Sequence, residues 1–172
     1  DLLLEQTLQA HQKKFVVLCH SPDNMGTFTL KDYSEPSHQL QQCSNEDLSE
    51  KALLEAGYTV IFKMLGYFDA QGAFCQNALI ASESDFFKFS QYQEQSIPEY
   101  FKRRLSESGF WLLGHYPKSW EKRLMINQML AHAKGQASTV LPDVNEFARV
   151  YLENQNVKHY PMDLNEFVAG LE

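Results

Sequence analysis

The chain has 172 residues, enough for one domain with a real core. Apolar residues make up 44% and aromatic residues 13%, which excludes a disordered chain. A net charge of −7 argues against a nucleic-acid-binding surface, and no apolar run approaches the ~20 residues that a membrane helix needs.

Leu2 to Ala10 has a weak helical pattern, with apolar residues at 2, 3, 4, 8 and 10. No basic region precedes it, so it does not read as a secretory signal. The opening Asp1 suggests a processed fragment, with a region upstream. Cys19, Cys43 and Cys75 are odd in number and unpaired in spacing. They indicate neither a disulfide framework nor a zinc site, so the cytoplasm is the expected location.

Phe15 to Cys19 is a β-branched apolar run and predicts a buried strand. His20 to Asn24 ends it with turn residues. Lys31 to Glu50 is polar and reads as loop, with a short helix near 45–56. Tyr58 to Leu65 predicts a second buried strand, ended by Gly66. Gln71-Gly72 reads as a turn, and Ala78 to Ala81 as a short edge strand. Ser82 caps the next helix, with Glu83 and Asp85 in its first turn. Pro98 opens a helix over Glu99 to Ser106.

Phe110 to Leu113 is a short apolar run ended by Gly114, read as a strand covered on both faces. Pro117 or Ser119 starts a helix whose apolar side is assigned to Trp120, Leu124 and Leu130, widened by Ile126 and Met129. Trp120 is expected to be largely buried. Ala137 to Leu141 is a strand, Asn145 to Asn154 a helix, and Asn156 to Tyr160 a last strand. Asp163 caps the closing helix. The alternation predicts an α/β fold with a Rossmann-like, mainly parallel sheet flanked by helices. Phe15–Cys19, Tyr58–Met64, Phe110–Leu113 and Thr139–Leu141 are expected in that one sheet, within a single domain over 1–172.

Four segments together resemble the bacterial sirtuin-like domain of NAD-consuming conflict-system proteins. They are IFKMLGYF (61–68), ALIASESDFFKF (78–89), the stretch 100–130 containing FWLLGHYPKSW, and ARVYLENQNVKHYPMDLNEFVAGL (148–171). The resemblance covers about the C-terminal half of such a domain, so a truncated, degenerate half-domain is expected. The family's Gly-rich dinucleotide turn has no counterpart, because no Gly-x-Gly occurs in the chain. The catalytic His of the family's Lys-x-His-Gly falls on Leu65, which accepts no proton. The family's Thr-Asn-x-Asp falls on CHSPD (19–23), where only Asp23 is retained. The Ser of its Gly-Tyr-Ser turn falls on Tyr116, and the Asp before Trp120 falls on Ser119.

The resemblance therefore implies the fold more strongly than the activity. No catalytic residue is assigned, and the isolated chain is not expected to cleave NAD. Gly66, Gly114, His115 and Asp23 remain the weak candidates for holding a nucleotide, NAD or ADP-ribose, although no cofactor is expected. Cys19 and His20 are adjacent on a strand and point to opposite faces, which disfavours a nucleophile–base pair. No HxxxH spacing supports a metal. Lys102-Arg103-Arg104 reads as a solvated helix face. The aromatics Phe86, Phe87, Phe89, Tyr92, Tyr100 and Phe101 read as core or interface. The expected role is a non-catalytic module meeting a protein partner or other domains of the same polypeptide, with no nucleic acid and no membrane. The alternative is an NAD hydrolase or deacylase whose missing half lies upstream or in a partner chain.

Overall fold

The computed structural model describes residues 2–20, 26–34, 40–50, 57–66, 79–114, 117–134 and 137–171. They divide into two compact units, 1–100 and 101–172. The Gln71-Gly72 turn and the turn residues 21–24 lie outside the described residues.

The first unit holds a four-stranded sheet in the order β3-β2-β1-β4, formed by β1 (Phe15–His20), β2 (Thr27–Asp32), β3 (Leu40–Ser44) and β4 (Thr59–Lys63). β1 pairs antiparallel with β2 and parallel with β4, and β2 pairs antiparallel with β3. All six residues of β1 are buried, as a continuous apolar run at the centre of a sheet requires. Alternate residues of β1 face opposite sides. Phe15, Val17 and Cys19 join Ile61 of β4 in a core to which helix α1 (Leu3–Ala10) brings Leu8, with Leu2 just before it. Tyr33 stacks on Phe15 at 4.7 Å between centroids.

Glu5, one turn from both Leu2 and Leu8, is carried inward on the same face and is only 2% exposed. Lys63 Nζ meets its Oε1 at 2.8 Å. The contact has ion-pair distance but not hydrogen-bond angles, since neither carboxylate oxygen is hydrogen-bonded.

Three expectations about this half are corrected. The polar stretch 31–50 is not loop up to its short helix: β2 runs through Asp32 and β3 occupies Leu40–Ser44, while the helix expected near 45–56 is present as α2 over Asn45–Glu50. β3 is an edge strand with only Cys43 buried, which is why its sequence looks polar. The strand at 58–65 is shorter, Thr59–Lys63, and only Ile61 is buried, because β4 ends the row. Residues 79–81 are not a strand; Ile80 N–H instead donates to Leu65 O at 3.1 Å.

Helix α3 (Glu83–Gln91) begins at Ser82, whose hydroxyl accepts from Asp85 N–H at 3.1 Å while Asp85 accepts from Ser82 N–H at 3.0 Å. The Ser82 cap is the one expected from the sequence, and the return bond to Asp85 completes a capping box. The box holds the Asp85 carboxyl below its usual pKa, chiefly through the Ser82 hydroxyl. Phe86 and Phe89 are buried on the inner side of α3, while Phe87 and Tyr92 are exposed. The short α4 (Gln93–Ser96) and α5 (Glu99–Glu107) follow, and Asn45 Oδ1 accepts from Glu99 N–H at 2.9 Å at the start of α5.

The second unit holds a parallel three-stranded sheet in the order β5-β6-β7, from β5 (Phe110–Leu113), β6 (Ala137–Val140) and β7 (Val157–Tyr160). Helices α6 (Trp120–His132) and α7 (Glu146–Asn154) make the two crossovers, and α8 (Leu164–Ala169) follows β7. Leu112, Ile126, Ala137, Leu152 and Val157 form the core. Thr139 is fully buried and donates its hydroxyl to Leu112 O at 3.0 Å. Asn145 caps α7 and Asp163 caps α8.

The four apolar segments expected in one sheet are thus all strands, but they lie two and two in separate sheets, and the first sheet is mixed. An apolar run identifies a strand without naming its partner. β5 is also not covered on both faces: Trp111 and Leu113 are exposed and Leu112 is buried. Trp120 is 42% exposed rather than largely buried. The inward stripe of α6 is set by Ile126, Leu130 and Ala133, and at 100° per residue Trp120 lies well off that stripe.

Candidate functional site

Open α/β sheets bind ligands beyond the carboxyl ends of parallel strands. In the first unit that place is where β1 and β4 end side by side, with Cys19 opposite Lys63. His20 is the last residue of β1 and lies opposite Phe28 of β2. It is 5% exposed, and its ring sits 5.5 Å from that of Phe89 on α3. Nδ1 of His20 has no hydrogen-bond partner among the described residues. Burial lowers its pKa below the ordinary histidine value, which favours the neutral ring. Cys19 faces the other side of the sheet, in the core shared with α1, so the two side chains do not form a nucleophile–base pair.

β4 ends in a turn. Gly66 N–H donates to Lys63 O at 3.1 Å, and Gly66 takes φ +73°, a left-handed conformation natural to glycine. Leu65, at the position where the family resemblance expects an imidazole, is half-buried, and its carbonyl accepts from Ile80. Its side chain supplies no proton donor or acceptor. Asp23 lies outside the described residues.

In the second unit the corresponding place is the turn from β5 into α6. Gly114 takes φ +62° at the strand end. The nearest atom to a Cβ built there is Leu164 Cδ2 at 3.8 Å, so backbone conformation rather than crowding favours glycine. His115 and Tyr116 lie outside the described residues. Ser119 stands at the N-cap of α6 without accepting a backbone bond. It is instead hydrogen-bonded to Glu121, and that bond lowers the Glu121 carboxyl pKa. Arg123 donates to Pro117 O at 3.2 Å and Lys118 O at 3.0 Å, and its guanidinium lies over the Phe147 ring. One arginine thus pins the two residues that lead into the helix. The sequence reading did not single out Arg123, and one turn into a helix after a Pro-containing entry was its signal.

Among the described residues no cluster of three or more His, Cys, Asp or Glu side chains has metal-binding geometry, and no helix is long and apolar enough to cross a membrane. Arg103 and Arg104 are exposed on α5, as a solvated face requires, whereas Lys102 of the same expected face is half-buried.

The chain matches the model of the SIR2-like domain family over residues 1–160. That range takes in the strands of both sheets. No curated protein and no solved structure matches it. With more than nine-tenths of its length matched, the chain belongs to the SIR2-like domain family.

Proposed function

We propose that this SIR2-like domain works without cleaving NAD, as a binding, assembly or regulatory module of a larger bacterial protein of the conflict-system or signalling kind. The observation that carries the proposal is Leu65. The strand-end position at which the resemblance implies a catalytic imidazole holds an aliphatic side chain, with no proton-transfer group at neutral pH. The absence of any Gly-x-Gly supports the same reading, because close backbone approach to a pyrophosphate needs such a turn. The partner is a protein or another domain of the same polypeptide. Phe87 and Tyr92, exposed on and just after α3, are the first apolar surface to change.

The experiment is a nicotinamide-release assay on the purified chain, together with calorimetry using NAD and ADP-ribose. Silence in the release assay is the expected result. The competing reading, an NAD hydrolase or deacylase completed upstream or by a partner chain, draws on one observation: the buried imidazole of His20 ends the strand beside β4. Nicotinamide release that is lost in His20→Ala would establish that reading and end the non-catalytic one.

A further inference from the structure

His20 is an ionisable group buried where β1 meets α3. The residue is 5% exposed at the carboxyl end of β1, and the ring of the buried Phe89 of α3 lies 5.5 Å from its own. Among the described residues Nδ1 has no partner to share a second proton with. A neutral imidazole tolerates this site, while an imidazolium needs two hydrogen-bond acceptors or water.

No charge on the described residues compensates it. On β1 itself Cys19 faces away. β2 presents Phe28 opposite it. Lys63 of β4 is turned to the far face, where it meets Glu5 of α1. On α3, Phe89 and Phe86 face inward, Asp85 is tied to Ser82, and Glu83 and Lys88 are exposed. Among the described residues, the influence on the His20 proton is burial, which opposes it.

We propose that His20 is a proton-operated latch: protonation of its imidazole releases α3 from the carboxyl end of β1. The closed form binds one proton fewer than the open form, in which the ring is hydrated and titrates as an ordinary histidine. The closed form is therefore favoured above the ordinary histidine pKa and loses that advantage as pH falls through it. The loss continues until the lowered pKa of the closed form is reached. A single proton changes the opening constant by at most about tenfold per pH unit. The latch uncovers the same strand end at which parallel α/β sheets meet ligands, and it does so with or without catalysis.

The test is amide hydrogen exchange of the full chain at about pH 7.5 and about pH 5.5, corrected for intrinsic exchange rates, with His20→Phe and His20→Gln as non-titrating variants. The expected result is that the α3 amides of the unaltered protein open about tenfold more at the lower pH. In both variants the same amides should be insensitive to pH. NMR of the His20 ring gives a second readout that does not depend on either variant folding: its titration should coincide with the change in α3. Opening of α3 that persists in a folded variant overturns the proposal. So does α3 exchange that is the same at both pH values, or a ring that stays neutral while α3 opens.

Discussion

Replacing Lys63 by Met removes one half of the contact that joins β4 to α1. The Glu5 side chain is 3% exposed and that of Lys63 18%, so the carboxylate is the more deeply desolvated partner. Removing the lysine leaves that carboxylate without its counter-ion, and breaking a buried pair in this way costs about 3–5 kcal/mol. Water already reaches nearly a fifth of the lysine side chain, which places the expected loss near the lower end, about 3 kcal/mol. The pair itself is worth less than this, because its desolvation offsets its attraction and it lacks hydrogen-bond alignment. Glu5→Leu combined with Lys63→Met should therefore return stability to within about 1 kcal/mol of the starting protein. Leu2 and Leu8 flank Glu5 on the same inward face and would accept the new leucine. Urea unfolding followed by far-ultraviolet circular dichroism measures all three variants and yields the coupling energy of the double-mutant cycle. A Lys63→Met protein within about 0.5 kcal/mol of the original would refute the argument, since it would mean that Glu5 finds water in the folded state.

Thr139→Val keeps the shape of a fully buried side chain but deletes its bond to Leu112 O, and should lower stability by about 1 kcal/mol in the same assay. Trp120→Ala should cost about 1–2 kcal/mol, well below the roughly 3–5 kcal/mol of a fully packed aromatic, because the indole is 42% exposed. A larger loss would mean that its buried portion is packed more tightly than its exposure implies.

Features with a local cause were legible in the sequence. Ser82 with Asp85, Asn145 and Asp163 announce their helices through side-chain chemistry that acts within three residues. The apolar runs at 15–19 and 110–113 announce strands for a similar reason. Pairing is a long-range property, so nothing in those runs separates the sheet of β1 and β4 from the sheet of β5, β6 and β7. The loop expected from Lys31 overlaps the end of β2, whose Phe28 and Leu30 alternate with polar residues as in a half-buried strand. Trp120 is more exposed than its size suggests, because Ile126, Leu130 and Ala133 fix the phase of the helix. Glu5 was readable from its spacing to Leu2 and Leu8, but its partner Lys63 was not, because 58 residues separate them in the chain (63 − 5). At the strand ends, Leu65 was visible as a departure from the family pattern. The sequence placed His20 in a turn, and its burial depends on α3, more than sixty residues away.

The chain has two tryptophans, and both belong to the second unit: Trp111 on β5, against Tyr160 and Phe167, and Trp120 at the start of α6. Indole emission is therefore an optical probe of residues 101–172. Events at His20, at the Gly66 turn or along α3 have no indole of their own to report them. A titration followed by tryptophan fluorescence alone reports directly only on the surroundings of Trp111 and Trp120. Introducing a single tryptophan at Phe87, already aromatic and exposed on α3, would give the first unit its own emission signal.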